Sequence, residues 1–151
     1  MLLSLSIRNI VLIESLDIAM QSGLCVLTGE TGAGKSILLD ALGFVLGERS
    51  NSRLLRHGEK KGSVVAVFDI ASNQAIVQKL NELEIEVQEG ELYLRRSLDD
   101  AGKSRAFIND VVVGVQSLKA LAENLLEIHG QHEQSGLLSS LVHRSILDEF
   151  G

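Results

Sequence analysis

The sequence predicts a mixed α/β domain, and three observations predict it. Residues Gly29-Glu30-Thr31-Gly32-Ala33-Gly34-Lys35-Ser36 match the pattern G-x-x-x-x-G-K-S/T in full. The apolar run Leu24-Cys25-Val26-Leu27 precedes that loop, and the apolar stretch Ile37 to Leu46 follows it. Strand, glycine loop and helix therefore come in order. Further along, several strand-type segments succeed one another without intervening helices, which implies an antiparallel portion beside the mixed core sheet.

The elements can be justified in turn. Leu3, Leu5 and Ile7 alternate with Ser4, Ser6 and Arg8, the period of a half-buried strand. A second strand is expected over Val11 to Ala19, and a third over Gly23 to Thr28 feeds the loop. Ile37 to Leu46 is apolar on nearly every side, with Asp40 the main exception, so a buried helix between the sheet and another layer is expected. A polar connector, Gly47 to Gly62, leads to a β-rich run, Ser63 to Ile70. Ile76, Leu80 and Leu83 fall at i, i+4 and i+7, which predicts a helix over Ser72 to Glu84 with Ser72 as its cap.

Glu91 to Leu98 and Ser104 to Asn109 read as strands joined through Asp99-Asp100-Ala101-Gly102, a hairpin signal. Val111 to Val113 extends that sheet after a turn at Asn109-Asp110. Val115, Leu118, Leu121, Ala122 and Leu125 mark one helical face. A short strand over Leu125 to His129 and a closing helix over Ser139 to Phe150 complete the expectation.

Composition narrows the class. A chain of 151 residues suits one domain, able to bury about two-thirds of its unfolded surface. Nothing resembles a membrane span or a secretion signal, and the apolar start Met1-Leu2-Leu3 is broken by Ser4, Ser6 and Arg8. The lone Cys25 cannot pair internally, which fits a reducing cytoplasm. A net charge of -6 argues against a whole-surface polyanion binder while leaving room for a local basic patch. Arg49, Arg53, Arg56, Lys60 and Lys61 form such a run, readable as a solvated loop or as a phosphate-contacting edge for DNA.

The loop residues suit a nucleoside triphosphate. Glycines let backbone N–H groups turn inward to form an anion site, and the helix that starts there adds its positive end. Lys35 can reach β- and γ-phosphate oxygens, and the Ser36 hydroxyl can take a position on Mg²⁺. A carboxylate partner is harder to find. Val64-Val65-Ala66-Val67-Phe68-Asp69 has the outline of a strand ending in a magnesium aspartate, but Ile70 follows it rather than an acid. Asp148-Glu149 offers the acids inside an expected helix. A self-sufficient small kinase or GTPase using Asp69 is the competing reading, weakened because no Asn-Lys-x-Asp motif and no arginine-rich lid occur. A non-enzymatic tethering module is a third. His129 and His132, with His143, make a poor zinc set, since no Cys or acid stands at sensible spacing.

Residues Leu27 to Leu42 and Ile128-His129-Gly130-Gln131-His132-Glu133 resemble DNA-repair members of the SMC-like branch of the ABC ATPases. Leu46-Gly47-Glu48-Arg49, Leu94-Arg95-Arg96 and Ser104 to Asn109 extend the resemblance along the chain. It implies the N-terminal lobe of a P-loop ATPase head of ABC/SMC type over residues 1–151, ending near the start of a long coiled coil. By that resemblance Gly29 to Ser36 bind ATP, and Gln131, the Q-loop glutamine, joins Ser36 on Mg²⁺. Arg56 resembles an arginine loop that can approach nucleotide or DNA, and Arg8 is a weaker candidate for a nucleotide contact. The implied partners are the C-terminal half of the same head, a second head in a homodimer, and DNA, with no membrane, in the bacterial cytoplasm at the nucleoid. The implied work is double-strand break repair and recombination. No Leu-Ser-Gly-Gly-type signature occurs, and Leu138-Ser139-Ser140-Leu141 lacks both glycines. Nucleotide binding without autonomous hydrolysis is therefore expected.

Overall fold

The structure, a computed structural model, describes residues 1–23, 26, 32–49 and 52–125. Among these residues a pattern of alternating burial draws six strands into one antiparallel sheet: β1 (Leu2–Ile10), β2 (Ile13–Ala19), β3 (Lys61–Asp69), β4 (Glu91–Asp99), β5 (Ser104–Ile108) and β6 (Val111–Val113). Their spatial order is β2-β1-β3-β4-β5-β6. The expected strand Gly23 to Thr28 is represented only by Gly23 and Val26. The expected strand Leu125 to His129 (beyond Leu125) and the helix Ser139 to Phe150 lie outside the described residues.

Register fixes which side chains meet. Ile7 pairs with Val64, Val64 with Arg96 and Arg96 with Ala106, so one row of inward-facing positions crosses four strands. A second row runs Leu5, Ala66, Leu94 and Ile108. Every one of these eight side chains is buried. The opposite face carries Ser4, Ser6, Arg8, Ser63, Arg95 and Ser97 at half-buried or exposed positions. A two-sided pattern of this kind is usual for an antiparallel sheet packed on one face only.

Among the described residues three helices share the core with the inner face: α1 (Gly32–Val45), α2 (Gln74–Glu82) and α3 (Val115–Ala122). α1 lies across β1, β3 and β4, and α3 lies over β5. Burial along α1 is uneven. Ala41, Phe44, Val45 and Leu46 are buried, whereas Leu39 is 48% exposed and Asp40 is also exposed. Among the described residues α1 is buried on the sheet mainly through its C-terminal half, and the second layer expected over its other side is not among them.

Two boundaries also differ from the sequence reading. α2 is capped by Asn73 rather than Ser72, because the Asn73 side chain accepts the Ile76 N–H at 3.1 Å. β2 begins at Ile13 rather than Val11, because Val11 sits at φ 50° in the corner after β1. That corner is closed from a distance: Val11 N–H donates to the Leu54 carbonyl at 2.8 Å, and Ile10 bridges Leu55. Leu54, Leu55 and Arg56 of the connector thus pack on this corner, after a 3-10 turn at Ser52–Leu54. The β4–β5 hairpin turns where expected, with Gly102 N–H donating to the Asp99 carbonyl and Lys103 N–H to its carboxylate. Among the described residues no helix is long and apolar enough to cross a membrane.

Candidate nucleotide-binding site

Gly32 to Ser36, the last five residues of the loop pattern, open α1. The first four N–H groups of a helix have no intrahelical acceptor, and the aligned peptide dipoles give that end about half a positive charge. The first turn of α1 holds no acidic residue and the last turn no basic one, so no charged side chain in either terminal turn offsets this field. Gly34 leaves its surroundings open, since a Cβ there would meet no heavy atom within 4 Å. Gly34, Lys35 and Ser36 are all exposed. An exposed, uncrowded helix start with a lysine and a hydroxyl beside it fits a magnesium-bound triphosphate.

The other end of α1 is held firmly. Glu48 N–H donates to Gly43 O and Gly47 N–H to Phe44 O, the paired bonds of a Schellman ending with Gly47 at φ 104°. A Cβ on Gly47 would stand 2.8 Å from the Lys119 Cβ. Backbone conformation and contact with α3 both demand glycine here. Beneath this turn lies Arg96 of β4, only 1% exposed. Its guanidinium donates to Phe44 O at 2.8 Å, Glu48 O at 2.6 Å and Ser104 Oγ at 2.9 Å. It also lies 4.2 Å from the centroid of the Phe44 ring. Burial pushes the guanidinium below its ordinary range, but arginine remains charged in proteins.

Sequence reasoning assigned Arg96 no role. The signal was present: Leu92, Leu94, Arg96 and Leu98 fall on every second position, so Arg96 takes a core slot of β4.

Arg56 sits at the far end of the β1–β2 pair. Its N–H donates to Asn9 O, and its guanidinium is 2.9 Å from the exposed Glu14 carboxylate. Arg8 forms a two-pronged pair with Asp17 at 2.8 and 2.7 Å. The Arg8 and Ser6 hydrogen bonds hold the Asp17 carboxyl below its ordinary range. Arg49 and Arg53 meet α1 at a cleft of about 300 Å³, where Val11, Asp40, Phe44, Glu48 and Leu54 complete the wall. Asp69 uses its carboxylate locally, accepting the Ala71 N–H at 3.0 Å.

A cavity of about 550 Å³ lined by Glu84, Glu86, Glu91, Tyr93 and Asp110 is acidic and ill-suited to phosphate. The Glu91 carboxylate accepts the Tyr93 hydroxyl and raises that phenol above its usual range. Gly29, Glu30, Thr31, Gln131, His129 and His132 lie outside the described residues.

Residues 4–150 match the model of a family described as AAA domain. The chain is 41% identical over 150 residues to the DNA repair protein RecN of Halalkalibacterium halodurans, covering 99% of this chain and 26% of the relative. It is 42% identical over 152 residues to RecN of Rickettsia prowazekii, covering 100% of this chain and 27% of the relative. The chain thus spans about a quarter of the length of the relatives it matches. A solved structure from work on ATP-driven dimerization and DNA-stimulated activation of SMC ATPases superposes with a TM-score of 0.70. Identity there is 20%, and 99% of each chain is covered. The fold is that of an SMC-type ATPase head lobe.

Proposed function

Because the chain belongs to the AAA-domain family, we propose that it is the ATP-binding N-terminal half of the head of a RecN-like protein acting in DNA double-strand break repair and recombination. One observation carries the reading above the others. The G-x-x-x-x-G-K-S segment delivers Gly34, Lys35 and Ser36 to the exposed, unacidified first turn of a helix whose far end is clamped.

In this reading Gly29 to Ser36 wrap the phosphates, with the backbone N–H groups of Glu30, Thr31, Gly32 and Ala33 among the donors. Lys35 places its ammonium against the β- and γ-phosphates. The Ser36 hydroxyl and the Gln131 amide oxygen hold Mg²⁺, a hard cation suited to uncharged oxygen donors and water. When bound, Mg²⁺ supplies charge neutralisation between the β- and γ-phosphates. Arg56 approaches nucleotide or DNA by leaving Glu14, and an exposed ion pair of that kind costs only about 0–1 kcal/mol to break. The exposed stripe of α1 around Leu39 suits cover by the C-terminal half of the same head. A second head and DNA complete the working assembly, in the bacterial cytoplasm at the nucleoid.

Positioning and charge stabilisation carry most of phosphoryl transfer, so a lobe lacking a signature motif and a catalytic acid should not turn over. The purified chain is expected to bind ATP–Mg²⁺ yet hydrolyse it at background rate, with or without DNA. Adding a matching C-terminal head segment should restore turnover, with a dependence on protein concentration that reflects head pairing. Robust turnover by this chain alone, abolished by Asp69→Asn, would overturn the reading in favour of a self-sufficient enzyme.

A further inference from the structure

Arg96 is a buried cation whose described hydrogen-bond partners include no carboxylate. Its donors reach two backbone carbonyls, Phe44 O in the last turn of α1 and Glu48 O just past the Gly47 cap, and one side-chain hydroxyl, Ser104 Oγ on β5. The Phe44 ring stacks on the same guanidinium. Its cross-strand neighbours, Val64 and Ala106, are apolar, and its Nε has no hydrogen-bond partner among the described residues. Burying a charge in such a row carries a desolvation cost that an apolar side chain would avoid. What the guanidinium adds is direction. Its positive charge faces the carbonyl end of α1, where the helix dipole is negative. Its fixed fork then sets where those carbonyls lie relative to β4 and β5.

The other end of the same helix is the phosphate loop. Ser36 and Phe44 are eight positions apart, about 12 Å along a helix that rises 1.5 Å per residue. A short helix of this kind moves as a unit, so tilting one end redirects the other. We propose that Arg96 is a positioning residue for the phosphate loop: by gripping the C-terminal end of α1 and tying it to β5, it sets how the first-turn amides face the triphosphate. The proposal rests on the nucleotide-binding reading of Gly29 to Ser36. It also makes the β4–β5 hairpin mechanically continuous with that loop.

The test uses the 151-residue chain with Arg96→Met, Arg96→Lys and Ser104→Ala. Two readouts are taken well below each variant's melting temperature: the Gly34 and Lys35 amide resonances without nucleotide, and ATP–Mg²⁺ affinity by calorimetry. Arg96→Met should move both resonances and weaken ATP–Mg²⁺ about tenfold, with Arg96→Lys recovering part of the loss. A merely structural arginine would lower the melting temperature and leave the folded protein's affinity and first-turn resonances unmoved. That outcome overturns the proposal. If the Arg96 variants fail to fold, Ser104→Ala decides through the same resonances, and no change there overturns it. Should wild type bind no ATP–Mg²⁺, the nucleotide reading fails while the nucleotide-free resonances still decide the positioning role.

Discussion

Gly47 and Asp17 show what single residues contribute. Gly47 ends α1 at φ 104°, and a Cβ there would collide with Lys119. Gly102 has φ 78° with open space around it, so it isolates the conformational cost. Gly102→Ala should destabilise by about 1–2 kcal/mol, the usual cost of the left-handed region. Gly47→Ala should exceed it by about 1–3 kcal/mol, as overpacking does; equal losses in urea denaturation would show that α3 yields freely. The Asp17 carboxyl is held below its ordinary range by Arg8 and Ser6. A depressed folded value means that its contribution to stability is present above the unfolded pKa and lost as pH falls through the folded one. A carboxyl titration by NMR should find its midpoint below the ordinary aspartate value, and Arg8→Ala should raise it. An unchanged midpoint in that variant would show that the pair does not form in solution. Arg8 and Asp17 are nine residues apart, and their meeting depends on register across β1 and β2, which no local pattern in the sequence states.

At the scale of elements, the period-two patterns made most of the sheet legible. Leu5 and Ile7 alternate with polar residues, and burial alternates along β1, β3 and β4, because one face is buried and the other is not; Val64 to Phe68, apolar throughout, is legible only as a β-rich run. Caps and corners were less legible. Ser72 and Asn73 are both good capping residues, and only the backbone decides which side-chain oxygen reaches the Ile76 N–H. Asn73→Ala should therefore cost about 1 kcal/mol of stability, while Ser72→Ala should stay within about 0.5 kcal/mol. A reversed order in thermal denaturation would return the cap to Ser72. The Val11 corner was hidden for a different reason: its conformation is fixed by hydrogen bonding to Leu54, on a connector reached through a long sequence separation. α1 reads as fully buried because its apolar residues surround the axis, yet Leu39 is 48% exposed among the described residues. The pattern records more cover than one sheet provides.

For the molecule as a whole, the sheet, the helix that opens at the loop and the clamp on its far end form one load path. The row Ile7, Val64, Arg96 and Ala106 spans β1 to β5 and meets α1 at Phe44. The loop motif and the α/β class were legible because four fixed residue types and their flanking apolar runs are local features. The clamp was not, since it joins residues 44, 48, 96 and 104 through folding alone. The account stands on one claim, that Gly29 to Ser36 hold a magnesium-bound triphosphate, and calorimetry of ATP–Mg²⁺ with wild type and Lys35→Ala tests it most directly. Removing the ammonium from the β- and γ-phosphates should cost about 2–5 kcal/mol of binding free energy. Equal affinity in the two proteins, or no binding by wild type, would contradict it.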